Sequence, residues 1–179
     1  MFVPSPKNVI LITYSATVPF LTDMTEAVVN KIERAMEAAG GLYHSLVLLV
    51  GTSGSGKTAL LRMIAKRQQA SLINVNFHVT SKLLELTPKQ RKLQLPEILN
   101  QVTQDIPALL VLDNLEVLFD GSLKQDPLRL LQGMSRNRTV VASWNGKVQA
   151  GNLIYAEPGH PEYRRLDADG VLTVDFGDE

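Results

Sequence analysis

The stretch "GTSGSGKTA", residues 51–59, sets Gly51, Gly54 and Gly56 among small hydroxylated residues and runs into Lys57 and Thr58. Gly51-x-x-x-x-Gly56-Lys57-Thr58 is the spacing of a phosphate cradle. Glycines let the backbone turn successive N–H groups toward one point, where side chains would collide with phosphate oxygens. Thr52, Ser53, Ser55 and Ala59 belong to the same cradle, and a helix opening near Lys57 adds the positive end of its dipole. In such a loop the lysine, here Lys57, reaches the β- and γ-phosphates of a nucleoside triphosphate, and the hydroxyl of Thr58 ligates Mg²⁺.

A metal-bound triphosphate needs a second protein contact to the metal. In "ALLVLDNLEVLF", residues 108–119, five apolar residues carry Asp113 to the C-terminal edge of a strand, where open α/β sheets bind ligands. Asp113 can hold Mg²⁺, through a water; it also fits a helix N-cap, with Glu116 three residues on completing a capping box. The two roles are compatible. Additional-strand P-loop ATPases, the AAA+ and STAND families among them, carry a glutamate directly after this aspartate to orient the attacking water. Here the position is Asn114, whose amide orients water but cannot take its proton, so slow hydrolysis is expected. Glu116 is the nearest carboxylate and the substitute base, with capping or simple exposure as its alternative. Downstream, "TVVASWNGK" offers Ser143 and Asn145 as sensors of the γ-phosphate, against a plain Asn-Gly turn. An arginine finger for a neighbouring subunit falls just before the fifth strand, at Arg164 and Arg165; Arg136 and Arg138 are rivals, and ordinary surface positions are the alternative for all four.

The elements that must position these residues follow from periodicity. Continuous apolar runs at 46–50, 72–75, 108–112, 139–143 and 171–175 predict strands buried on both faces, and helical spacing predicts helices over 24–39, 57–69, 88–104 and 126–137. Gly40 and Gly41 end the first helix. Pro88 fits a first helical position after Thr87, and Pro96 is expected to kink or divide that helix. The fold is therefore α/β: a three-layer P-loop NTPase with an AAA+/STAND-like core of about five parallel strands. The chain ends just after the fifth strand, so no C-terminal helical lid is expected. A strand-like "VILITY" lies at 9–14, and Met24 could serve as a second start. On that reading 1–23 form an N-terminal extension and 24–179 the NTPase domain.

Composition excludes several classes. With no cysteine among 179 residues, disulfides, zinc clusters and a thiol nucleophile are ruled out, and His44, His78 and His160 lack metal-ligand spacing. The formal charge is zero but uneven: residues 57–92 hold eight basic residues against Glu85 alone, a net of +7, while 93–128 swing to −5, six acids against Lys124. Such a stretch either meets DNA or an acidic partner, or is a set of solvated helix faces. No apolar run reaches the ~20 residues of a membrane span, and the N-terminus makes a poor secretion signal, which predicts a cytoplasmic protein with no membrane contact.

Several stretches together resemble one family: "GTSGSGKTALL", "LLVLDNLEVLF", "SLKQDPLRLLQGMSRNRTVVASWNG" and "YAEPGHPEYRRL" are similar to BrxF, the small P-loop protein of type III BREX phage-defence systems of bacteria. The resemblance runs from about residue 26 to the end, and the series after Asp126 makes it specific. It implies an ATP-binding accessory subunit beside a large BREX ATPase, a DNA methyltransferase and a PglZ-type protein. Three functions then compete: an ATPase that switches or assembles a complex through self-association, a nucleotide-binding scaffold that hardly hydrolyses, and a small-molecule kinase. Asn114 favours the scaffold. The short stretches available for an acceptor site disfavour the kinase, and no N-K-x-D motif marks a GTPase.

Overall fold

The computed structural model describes residues 18–106 and 108–176, with side chains from residue 25. Five parallel strands form the central sheet: β1 (Leu46–Gly51), β2 (Leu72–Asn74), β3 (Leu109–Asp113), β4 (Thr139–Asn145) and, last in the chain, β8 (Leu172–Asp175), in the order β2-β3-β4-β1-β8. Every residue of β1 is buried, as an interior strand covered on both sides requires.

Alternation along these strands feeds two cores. Val47 and Leu49 of β1, Val111 and Val141 face a layer made by α1 (Val18–Ala39) and α2 (Lys57–Arg67). Leu46, Leu48 and Val50 face the opposite layer of α3 (Val75–Leu83), α4 (Pro88–Thr103) and α5 (Pro127–Met134). The expected three layers are present.

Several local expectations hold and others do not. Thr87 caps α4 in a capping box with Gln90, with Pro88 at the first turn. Pro96, however, does not divide α4, which runs unbroken through it. The helix α1 begins at Val18 rather than Met24, and the strand-like stretch at 9–14 lies outside the described residues. The second strand ends at Asn74, whose side chain accepts from the Phe77 amide and starts α3, a helix the apolar periodicity had not announced.

The largest departure lies between β4 and β8. Strands β5 (Lys147–Gln149), β6 (Asn152–Tyr155) and β7 (Arg164–Asp167) make a separate antiparallel sheet in the order β5-β6-β7. Its first hairpin turns at Ala150 and Gly151, both at positive φ (48° and 73°), the mirror-image turn that suits strand twist. The Asn-Gly pair at 145–146 is not a hairpin: the chain passes from β4 straight into β5 there. Gly146 sits at φ 151°, and a Cβ on it would fall 1.8 Å from the Ile154 carbonyl oxygen, so only glycine fits. Three rings fasten this sheet to the core: Phe119 stacks on Tyr155 with centroids 3.5 Å apart and meets Trp144 edge-on at 5.0 Å.

Arg138 shows what holds the far edge of the sheet. Its guanidinium donates to the carbonyls of Thr103 (2.6 Å), Ile106 (2.8 Å) and Met134 (3.3 Å), closing the ends of α4 and α5. Arg138→Ala should strand these acceptors and cost about 1–3 kcal/mol of stability. Urea unfolding monitored by circular dichroism checks this; an unchanged midpoint would show that water replaces the guanidinium without loss.

Candidate functional site

The site is built where β1, β4 and β3 end side by side. Gly51 lies opposite Asn145 in the β1–β4 register, and Asp113 closes β3 opposite Asn74 of β2. The loop after β1 then curls back, with Gly54 at φ 82° and Gly56 at φ 92° taking left-handed turns. Gly51 suits its place for a different reason: a Cβ there would press within 2.8 Å of Ser55 Oγ and 3.1 Å of Phe176 Cβ and force both to shift.

Lys57 is 5 % exposed, and its ammonium donates to the carbonyls of Gly51 (2.8 Å) and Thr52 (2.6 Å) and to Ser55 Oγ (3.1 Å). All three donors are used, as a buried ammonium demands. Burial pushes its pKa below the usual lysine value, while Asp113 and Glu116 nearby work to keep it charged. Beside it the Thr58 hydroxyl donates to Asp113 Oδ2 at 2.7 Å. That bond joins the two residues expected to hold Mg²⁺, and a hydroxyl with a carboxylate is the hard oxygen set such an ion takes. Among the described residues no group of three or more His, Asp or Glu could hold a metal alone, so an ion here would share its shell with nucleotide oxygens and water.

Asp113 does not cap the following turn. The 3₁₀ turn Glu116–Phe119 starts after Leu115 with no side-chain cap, and the capping-box reading of Asp113 and Glu116 is therefore replaced by the bond to Thr58. Glu116 instead accepts from Asn145 Nδ2 at 2.7 Å. Asn114 holds a left-handed conformation, φ 55°, with its carbonyl accepting from the Asn76 amide at 2.8 Å. Asparagine tolerates that region better than glutamate does.

A cleft of about 330 Å³ is lined by Ser53, Gly54, Gly56, Lys57, Thr58, Ala59, Asp113, Asn114, Glu116 and Asn145, so most of the residues picked out by sequence meet in one place. Arg62 lines it too and was missed; it stands four residues after Thr58, one helical turn along the same face. Ser143 does not reach the cleft: it is buried in β4, level with Leu49 rather than with the strand ends. Arg136 and Arg138 precede β4 and so lie at the opposite edge of the sheet, Arg136 over the ring of Tyr43 and Arg138 bound to carbonyls. Arg164 and Arg165 lie in β7 rather than in a plain loop before β8; Arg164 is half-buried, Arg165 exposed. The basic stretch 57–92 also divides. Lys57 belongs to the cleft, Arg67 pairs with Glu26 and Glu33 in the α1–α2 layer, and Lys82, Lys89 and Lys92 lie in the other layer.

A strand, a glycine-rich loop and a helix N-terminus, with an acid on the strand two places away in the sheet, define a P-loop NTPase. The model of the ATPase family associated with various cellular activities (AAA) matches residues 47–142, more than half of the chain, and the chain belongs to that family. It is an ATP-binding AAA-type ATPase domain, and members of the family generally bind ATP with Mg²⁺ and commonly oligomerise. No curated protein matches. A solved structure of C. elegans PCH-2 is similar at 15 % identity and a TM-score of 0.42, over 85 % of this chain; the chain spans 42 % of that one. Among the described residues no helix is long and apolar enough to cross a membrane.

Two substitutions separate charge from metal in the cleft. Lys57→Ala should lower nucleotide affinity about tenfold or more, the loss of one charge-assisted bond, while the fold persists. Asp113→Ala should weaken binding in Mg²⁺ and leave binding in EDTA nearly intact. Titration with a fluorescent ATP analogue reads both; equal loss for Asp113→Ala with and without Mg²⁺ would make its bond to Thr58 structural only.

Proposed function

We propose that the domain binds and slowly hydrolyses MgATP, and does so as a nucleotide-dependent switch or assembly factor in a bacterial BREX anti-phage system. The observation that carries the chemical part is the buried Lys57 ammonium beside the Thr58–Asp113 bond in one cleft. The amides of residues 51–59 and Lys57 take the phosphates, the ammonium exchanging loop carbonyls for phosphate oxygens. Thr58 and Asp113 would hold Mg²⁺, whose positive charge would offset that of the phosphates. Water attacks the γ-phosphorus as its bond to the β–γ bridging oxygen breaks, and the water's proton passes to Glu116. Asn145 and Asn114 orient that water and sense the γ-phosphate. Arg165, exposed on the inserted sheet, serves as the finger toward a neighbouring copy.

Support for the BREX assignment is the sequence series from "DPLRLLQ" to "EPGHPEYRR", which resembles BrxF, and the partners it implies are the large BREX ATPase, the methyltransferase and the PglZ-type protein. A second reading, a nucleotide-bound scaffold that hardly turns over, is favoured by Asn114 standing where related ATPases carry glutamate.

Turnover measured across a protein concentration series decides between them. Specific activity should rise with concentration, and Glu116→Gln should lower it about a hundredfold, the ordinary scale of a lost general base. Arg165→Ala should do likewise, and mixing it with Lys57→Ala protein should recover part of the rate. Phosphate release at the blank level for wild type and Glu116→Gln alike supports the scaffold. The biological half has its own check: tagged protein should retain the three BREX partners with ATP and lose them with Lys57→Ala, and retention of none would refute it.

A further inference from the structure

Glu116 is carried by a four-residue turn with no side-chain cap at its start. So short a 3₁₀ turn makes few backbone bonds of its own, and its place is set by what grips it. At the front, Asn145 donates to the Glu116 carboxylate at 2.7 Å. At the rear, Arg164 Nη2 donates to the Phe119 carbonyl at 3.2 Å, a cation at the negative end of the turn. Between these points the Phe119 ring lies on Tyr155, nearly parallel at 10°. Tyr155 and Arg164 are direct partners in the β6–β7 ladder, so one cross-strand pair supplies both rear contacts.

We infer that Arg164 is a positioning residue: with Tyr155 it latches the inserted sheet onto the carbonyl end of the Glu116 turn and so fixes that carboxylate in the cleft. The inference rests on the reading of Glu116 as the base. Two neighbouring arginines that look alike in sequence thereby part company. Strand alternation sends Arg164 to the core side with Tyr155, its Nη1 also bound to the Tyr163 carbonyl, and leaves Arg165 exposed. Arg164 is spent within its own subunit, on the Phe119 carbonyl, three residues or about 6 Å of 3₁₀ rise from Glu116.

The test uses the full chain and two readouts. Trp144, the sole tryptophan, abuts Phe119 at 5.0 Å and reports the latch without any turnover. Arg164→Ala should raise acrylamide quenching of Trp144 at least about twofold and lower kcat about tenfold or more, with ATP affinity within about twofold of wild type. Arg164→Lys, which keeps one donor for the Phe119 carbonyl, should restore most of both. Mixing Arg164→Ala with Lys57→Ala protein should recover nothing, because a latch acts in its own subunit; recovery would make Arg164 a finger and overturn the inference. So would Arg164→Ala with unchanged quenching. If Arg164→Ala does not fold, Arg164→Met, which keeps the stem and has no donor, takes its place in every arm. Glu116→Gln with wild-type turnover refutes the reading of Glu116 as base, whereas the quenching result judges the latch by itself.

Discussion

A nearly buried ammonium is affordable only when every one of its protons has an oxygen, and at Lys57 this condition shapes the whole P-loop. The Gly51 and Thr52 carbonyls must point inward, so the loop has to fold back over the end of β1. Folding back needs the left-handed turns at Gly54 and Gly56. It also brings Ser55 and Phe176 so close to Gly51 that a side chain there would have to displace them. The fifth strand thus participates directly: the Phe176 amide donates to the Val50 carbonyl at 2.7 Å, fixing the end of β8 beside the cradle. The three loop oxygens also define the work of the site. They hold the ammonium near the place where phosphate oxygens would compete for it, so a nucleotide replaces bonds already made and the net gain per bond is modest.

The residues matched by the family end at 142, and the strand that carries Asn145 continues past them into a small antiparallel sheet. This sheet is anchored by apolar rings rather than by extension of the central ladder. Trp144 donates its indole N–H to the Ile154 carbonyl at 3.2 Å, and Tyr155 reaches across to Phe119. Burial, with Glu162 and Glu116 adding to it, pushes the Tyr155 hydroxyl up to about 12, so it stays neutral where a phenolate would face two carboxylates. One end of the cleft is therefore family core, and the other is held by an attachment with its own packing.

What could be read from sequence follows a physical division. The inner strands β1, β3 and β4, covered on both faces, are continuous apolar runs, and the edge strands β2 and β8, only partly buried, could still be seen from their apolar residues. The cradle was readable because its glycines answer a backbone requirement that few other residues meet. The inserted strands were not readable, since β5 and β7 expose alternate residues and are three and four residues long. Helix α3 was missed because only Val75, Val79 and Leu83 are buried, a four-residue spacing that a strand ending at Asn74 interrupts. Pro96 does not divide α4 because a proline inside a helix costs less when tertiary packing holds the flanking turns, and here Leu95, Ile98 and Leu99 are all buried. Apart from the Thr103 hydroxyl, the partners of Arg138 and Arg164 are backbone carbonyls, which carry no mark in sequence at all.

Asn114 joins these levels. Spacing alone marks it as a deviation, a missing carboxylate beside the aspartate proposed to hold Mg²⁺. In the fold it occupies a left-handed turn whose carbonyl holds the first turn of α3 through Asn76, and that conformation favours asparagine. A glutamate introduced there would be strained by the backbone before it reached any water. The turn that follows then delivers the next acid, Glu116, into the same cleft, where Asn145 receives it. The backbone geometry that makes residue 114 unsuited to a glutamate is thus the geometry that brings residue 116 to the cleft, where the proposed hydrolysis calls for a base.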